Sequence, residues 1–239
     1  MIRLTTRRPV LFLAMVVVAL IVLFPLRLAL GLIDMGAQGL SAREVTGPVW
    51  AGGLNDAHYG DIALGDLDAG LSPLQLAIGR ARIDVAGAGT SGDQALRGAL
   101  SVSRSTFGVD DVTATLPASS AFAPLPIAAL RFDDVSVHFR DGNCASAEGK
   151  VTALIASTMP QLTLPPSLSG TARCSGGTLL VPLASQAQTE SIAVSIEADG
   201  KYRATLTARP ADAAAAAALA GAGFQPSGGG YSLRIEGRF

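Results

Sequence analysis

The chain has 239 residues, with 18 Lys and Arg against 19 Asp and Glu, a formal net charge of −1 and only 5% aromatic residues. A near-neutral chain with no basic patch interleaved with aromatics is not built to bind nucleic acid. Its 27 glycines and 13 prolines disfavour long helices and favour short strands joined by turns.

The first element is apolar. Residues 10–26 carry no charge and are nearly all Val, Leu, Ile, Ala, Phe or Met. Crossing a hydrocarbon core of ~30 Å takes about 20 helical residues. Residues 28–33 continue the run to that length, with Pro25 in the last turns and Arg27 able to reach back to the headgroups. The expectation is a transmembrane anchor over 10–33. Arg3, Arg7 and Arg8 precede it with no acid among them. That flank holds residues 1–9 in the cytoplasm and sends 34–239 out as a periplasmic β-rich domain. A cleaved signal peptide, with Ala29-Leu30-Gly31 as its processing site, is the alternative, but the apolar core is long for that job.

Beyond the anchor the period is two. Residues 80–85 alternate charged and apolar, while Leu96, Gly98, Leu100 and Val102 share a face. The same holds for Val112, Ala114 and Leu116, and for Val135, Val137 and Phe139, with His138 on the opposite, polar side. The cleanest hairpin joins Ile192, Val194 and Ile196 to Tyr202, Ala204 and Leu206 through Ala198-Asp199-Gly200. The alternation slips near Gly65-Asp66 and again at Asp133-Asp134, as a β-bulge makes it do.

Residues 116–126 and 160–166 read as loops. Residues 211–222 read as a helix, after Pro210 and with Asp212 in its first turn. Tyr231, Leu233, Ile235 and Phe239 form a closing strand. The alternative, the last strand of an outer-membrane barrel, suits neither a helical anchor nor strands so short. The fold expected is therefore mainly β: a curved antiparallel sheet with one apolar face, sandwich-like or half-barrel-like. About ten strands would span some 50 Å.

Cys144 and Cys174 both fall in the exported part. In an oxidising compartment an even pair reads first as a disulfide, with two free buried thiols as the alternative. Little else suggests chemistry. His58 and His138 have no Cys, His or Asp cluster near them in sequence, and His138 reads as a solvated imidazole. Residues 87–92 match G-x-G-x-x-G, but another strand follows where a dinucleotide site needs a helix. Asp66 and Asp68 could share a cation, although a solvated face is the simpler reading. No serine sits in a nucleophile elbow. No catalytic, cofactor or metal residue is nominated, and the expectation is a protein that is not an enzyme.

Four stretches carry a resemblance. The first is Glu44-Val45-Thr46-Gly47-Pro48-Val49-Trp50-Ala51-Gly52, and the second is Leu64-Gly65-Asp66-Leu67-Asp68-Ala69-Gly70-Leu71-Ser72-Pro73-Leu74. Then come Gly79-Arg80-Ala81-Arg82-Ile83 and the ending Gly230-Tyr231-Ser232-Leu233-Arg234-Ile235-Glu236-Gly237. Together they resemble protein N of the type II secretion system, the GspN family. Gly47, Val49, Trp50 and Gly52 form its sharpest motif, and Trp50 is expected to pack over the first strands. The resemblance implies a non-catalytic accessory subunit in the inner membrane, without cofactors. Its partners would be other subunits of the machine, in the inner membrane or at the secretin. AsmA-like envelope proteins share the β texture, so a lipid-binding or lipid-carrying protein is the alternative.

Overall fold

The computed structural model describes residues 7–32, 40–60, 62–87, 96–118, 122–123, 125–156, 165–210, 212–228 and 230–238. Two helices come first, α1 (Arg7–Val22) and α2 (Leu26–Leu32). They correct the expected continuous helix over 10–33. Among the described residues no helix is long and apolar enough to cross a membrane. The cause is Pro25, which lacks an amide hydrogen and whose ring clashes with the carbonyl four residues earlier, that of Ile21. Helix α1 stops just before it, and the proline divides the segment in two.

The chain then runs β1 (Leu40–Ser41), β2 (Glu44–Thr46), β3 (Gly52–Tyr59), β4 (Ile62–Leu71), the short helix α3 (Pro73–Ala77), β5 (Ala81–Gly87), β6 (Arg97–Val102), β7 (Thr106–Pro117), β8 (Ile127–Arg140) and β9 (Asn143–Ile155). It continues with β10 (Ser167–Thr171), β11 (Arg173–Ser175), β12 (Thr178–Ala184), β13 (Glu190–Ile196), β14 (Lys201–Ala208), helix α4 (Ala213–Gly221), β15 (Gln225–Ser227) and β16 (Gly230–Arg238). The fold is mainly β, as expected, with more strands than the ten or so expected. Among the described residues, 16 strands form one antiparallel sheet that does not close into a barrel. Its order is β1-β3-β4-β5-β6-β7-β8-β9-β10-β12-β13-β14-β16-β15, with β2 and β11 as side branches. Among the described residues the strands form this one sheet and no second sheet packs on it as a sandwich.

Both expected phase slips are bulges. One shift separates Ala57↔Gly65 from His58↔Ala63, and another separates Asp133↔Lys150 from Ser136↔Glu148. Two more occur at Asn55-Asp56 and Asp110-Asp111. Asp56, Asp111 and Asp134 take positive φ, at 53°, 53° and 54°. Each of their amides finds a side chain on a neighbouring strand. Asp56 donates to Asp66 Oδ1 (2.8 Å), Asp111 to Ser136 Oγ (2.9 Å) and Asp134 to Thr113 Oγ1 (3.3 Å). Bulges stacked on neighbouring strands bend the sheet.

The expected hairpin is β13–β14, paired from Glu190↔Ala208 to Ile196↔Tyr202. The expected 211–222 helix is α4. Asp212 is its N-cap and accepts from Ala215 N at 2.8 Å, while Ala211 lies outside the described residues. Strand β7 reaches Pro117, so the first expected loop begins later than 116; residues 160–164 of the second lie outside the described residues.

One face of β8–β16 is apolar. Its centre is a row of registered residues, Leu183↔Ile192↔Leu206↔Leu233, of which the first three are fully buried. The face is covered by Leu219 of α4, by Phe224, and by Phe122 and Leu125 of the β7–β8 connection. Phe122 reaches Tyr202 of β14, ring centroids 5.3 Å apart. A smaller core at the other flank of the sheet holds Leu26, Leu54, Ala57, Leu67 and Ala69.

Candidate functional site

The motif Gly47, Val49, Trp50 and Gly52 lies in the turn between β2 and β3, where it grips the break between the two helices. Pro25 cannot supply the amide that would normally reach the Ile21 carbonyl, which accepts a long bond from Phe24 N (3.4 Å) and a shorter one from the Trp50 indole Nε1–H at 2.9 Å. Val49 N donates to Phe24 O (2.8 Å) and Leu26 N to Gly47 O (3.0 Å), with a bridge between Pro25 and Pro48. On its other side the turn is held by Leu71 N, which donates to Val49 O at 2.9 Å. Gly47 has φ +78°, and Gly52 has no room for a Cβ beside the Leu26 side chain and the Thr46 carbonyl. Trp50 sits in the turn that leads into β3 and bonds the end of α1, a contact that the sequence did not reveal.

This turn makes the first testable prediction. Trp50→Phe keeps the ring and deletes the donor, which is worth about 1 kcal/mol for an ordinary hydrogen bond. Amide exchange at Leu26 and Val49 should quicken by about fivefold. Unchanged exchange would show that the indole hydrogen bond does not hold the helix break.

The expected disulfide is present. Cys144 in β9 and Cys174 in β11 are bonded, with Cα atoms 5.4 Å apart. β11 pairs with β12 and β10 pairs with β9, so the chain shifts between the two ladders at buried Ala172. The disulfide ties β11 to β9 where the ladder has moved away.

The polar face of β5–β9 carries a chain of contacts that the sequence concealed. Arg82 lies 3.5 Å from Asp110 Oδ2, and Ser101 Oγ donates to that oxygen at 2.8 Å. Asp110 Oδ1 lies 2.8 Å from His138 Nε2, whose Nδ1 is 3.3 Å from Ser146 Oγ. His138 therefore has partners on both ring nitrogens and is not the solvated imidazole expected. The guanidinium of Arg82 is held more firmly charged by its hydrogen bond to Asp84 at 3.0 Å, against partial desolvation and with help from Asp110 and Asp111.

Ser146, His138 and Asp110 follow the order of a nucleophile relay. They lie on one face of three neighbouring strands, β9, β8 and β7. The arrangement cross-links five strands, from Arg82 of β5 to Ser146 of β9.

The remaining candidates have plain roles. Asp66 accepts from the Asp56 bulge amide, and Asp68 stands exposed beside it. His58 Nδ1 lies 3.0 Å from Asp56 O. Of the glycine loop, Gly87 ends β5 and residues 88–92 lie outside the described residues. No group of three or more His, Cys, Asp or Glu that could hold a metal occurs among the described residues. A cavity of about 330 Å³ opens near the β13–β14 turn, beside the Arg203–Glu236 ion pair (2.6 Å). The hydrogen bond from Arg203, and then its charge, holds the Glu236 carboxyl below its ordinary range.

No curated protein matches the chain, and no solved structure does. A family model does, under the description type II secretion system protein N. It spans residues 38–234, from just before β1 into β16 and including the Trp50 turn and both cysteines, and the chain belongs to that family.

Proposed function

We propose that this protein is a non-catalytic accessory subunit of the type II secretion system, held at the inner membrane by α1 with its sheet on the periplasmic side. The observation that carries this reading is the family match over 38–234. Three features support it. Every residue from 10 to 23 is exposed, so among the described residues the apolar side chains of α1 are left largely uncovered. Its 16 residues, the first two of them arginines, give about 24 Å of helix, short of a full bilayer core, so this reading requires the bilayer to thin around it. The disulfide suits an oxidising compartment.

The sheet is the interaction platform, and its partners are other subunits of the machine. The outer edge of β16 is paired only at residues 230–232, by β15. Among the described residues none pairs with the outer edge of 233–238, whose backbone groups could take a partner's strand.

A second reading has one observation behind it. Leu100, Val102 and Phe107 belong to the apolar side of the sheet yet stand exposed, and a lipid-handling protein would use such a strip.

Gene deletion separates the two. The secretion reading expects exported enzymes to accumulate in the periplasm while detergent resistance stays normal. Normal secretion together with a detergent-sensitive outer membrane would overturn it in favour of lipid handling.

A further inference from the structure

The register places several exposed groups at one end of the sheet. Strand β4 ends at Leu71 beside the Trp50 turn, because Leu71 N donates to Val49 O. The next residues form α3, tied back by Ser72 N to Arg82 O (2.8 Å). α3 has no buried residue, and Leu74 is 81% and Ile78 69% exposed. Along the same end, Ala81 pairs with Val102 and Val102 with Phe107, both exposed apolar residues. The end of α1 at Ile21 meets this end of the sheet too, through Trp50. Exposed Arg80 follows α3, Arg104 tips the β6–β7 turn and Arg140 ends β8, with Asp141 as the acid in the following turn.

Apolar side chains standing clear of a folded domain, rimmed by arginines and set beside the foot of an apolar helix, match a bilayer surface: acyl chains for the leucines, anionic headgroups for the guanidiniums. We propose that α3 and the adjoining β6–β7 turn rest in the headgroup region of the membrane. They are a second contact beside α1, and they fix the sheet's tilt on the bilayer. This rests on α1 being a membrane helix, and the experiment separates the two ideas.

The full chain is reconstituted into vesicles of phosphatidylethanolamine and phosphatidylglycerol. One cysteine is added at a time, and an environment-sensitive fluorophore reacts with it because the native pair is bonded. Ile78→Cys probes α3, Val16→Cys probes α1, and Gln186→Cys probes the turn at the opposite end of the sheet. Spin-labelled lipids carrying the quencher near the headgroup should remove about half the emission at position 78. Deep quenchers should act at 16, and neither should act at 186. Replacing phosphatidylglycerol with neutral lipid should reduce quenching at 78, as should Arg80→Glu with Arg104→Glu.

A position 78 as wet and unquenched as 186, with 16 still quenched, would refute the second contact and leave the anchor standing. Absence of quenching at 16 would refute the anchor and, with it, this proposal. A dry position 78 that no lipid quencher reaches would mean that protein covers α3, and would overturn the proposal as well.

Discussion

Replacing both Cys144 and Cys174 by serine should lower the stability of the β domain by about 3.5 kcal/mol, as expected for opening a loop of this length. The closed loop spans 30 residues, containing the β9–β10 connection and the shift from β10 to β11. For a domain of this size that loss is a fall of about 10 °C in Tm. The strain should concentrate in β11, whose three residues hold β12 through a short ladder and β9 through the disulfide. Amide exchange in Arg173–Ser175 should therefore rise well ahead of exchange in β13 and β14. Thermal unfolding of the double variant, beside the oxidised and reduced native protein, tests this. A shift of under about 1 kcal/mol would mean that β11 is held by its packing alone.

Leu206→Ala should be as damaging. Leu206 is 1% exposed, between Ile192 and Leu233 in the registered row that centres the larger core. Truncating a fully buried leucine removes its transfer energy and leaves a cavity, together about 3 to 4 kcal/mol. Ile192→Ala should cost a similar amount. The double variant should cost less than the sum, because the two side chains border one cavity. Ala193→Ser, on the opposite, exposed side of β13, should change stability by less than about 0.5 kcal/mol. Denaturant titrations decide the matter. Equal effects at 193 and 206 would mean that the two faces of the sheet are not distinguished by burial.

The alternation made β13 and β14 legible, because each buries one side only and a tight turn fixes the register. It also exposed the bulges at Gly65 and Asp134, since one inserted residue reverses every later side chain. The bulges at Asp56 and Asp111 had the same signal available. Asn55-Asp56 and Asp110-Asp111 repeat the pattern of Asp133-Asp134, and Asp is among the residues that tolerate positive φ.

Strand β12 was hidden by Pro182, a residue that argues against a strand interior. It sits where β12 passes from pairing with β11 at Leu180 to pairing with β10 at Ala184. The helix break was harder to read. Pro25 announced the stop, but nothing local says that an indole 29 residues later would donate to the Ile21 carbonyl. The Arg82–Asp110–His138 chain depends on the registers of neighbouring strands, which period-two patterns do not specify across a sheet.

The strand order has a consequence for how the chain reaches this state. Apart from short skips such as β1 to β3, β10 to β12 and β14 to β16, each ladder joins neighbours in sequence, and every ladder is antiparallel. Contacts of that kind close small loops, so folding needs no distant search and proceeds by adding one hairpin to the last. A chain emerging N-terminus first can dock the Trp50 turn on the helix break, then lay down β3 to β9 while β12 onward is still unmade. Cys174 arrives 30 residues after Cys144, so the disulfide can close before the final core row exists. Each new strand then meets a finished edge, and an unfinished edge is exposed only for the time the next hairpin takes to appear.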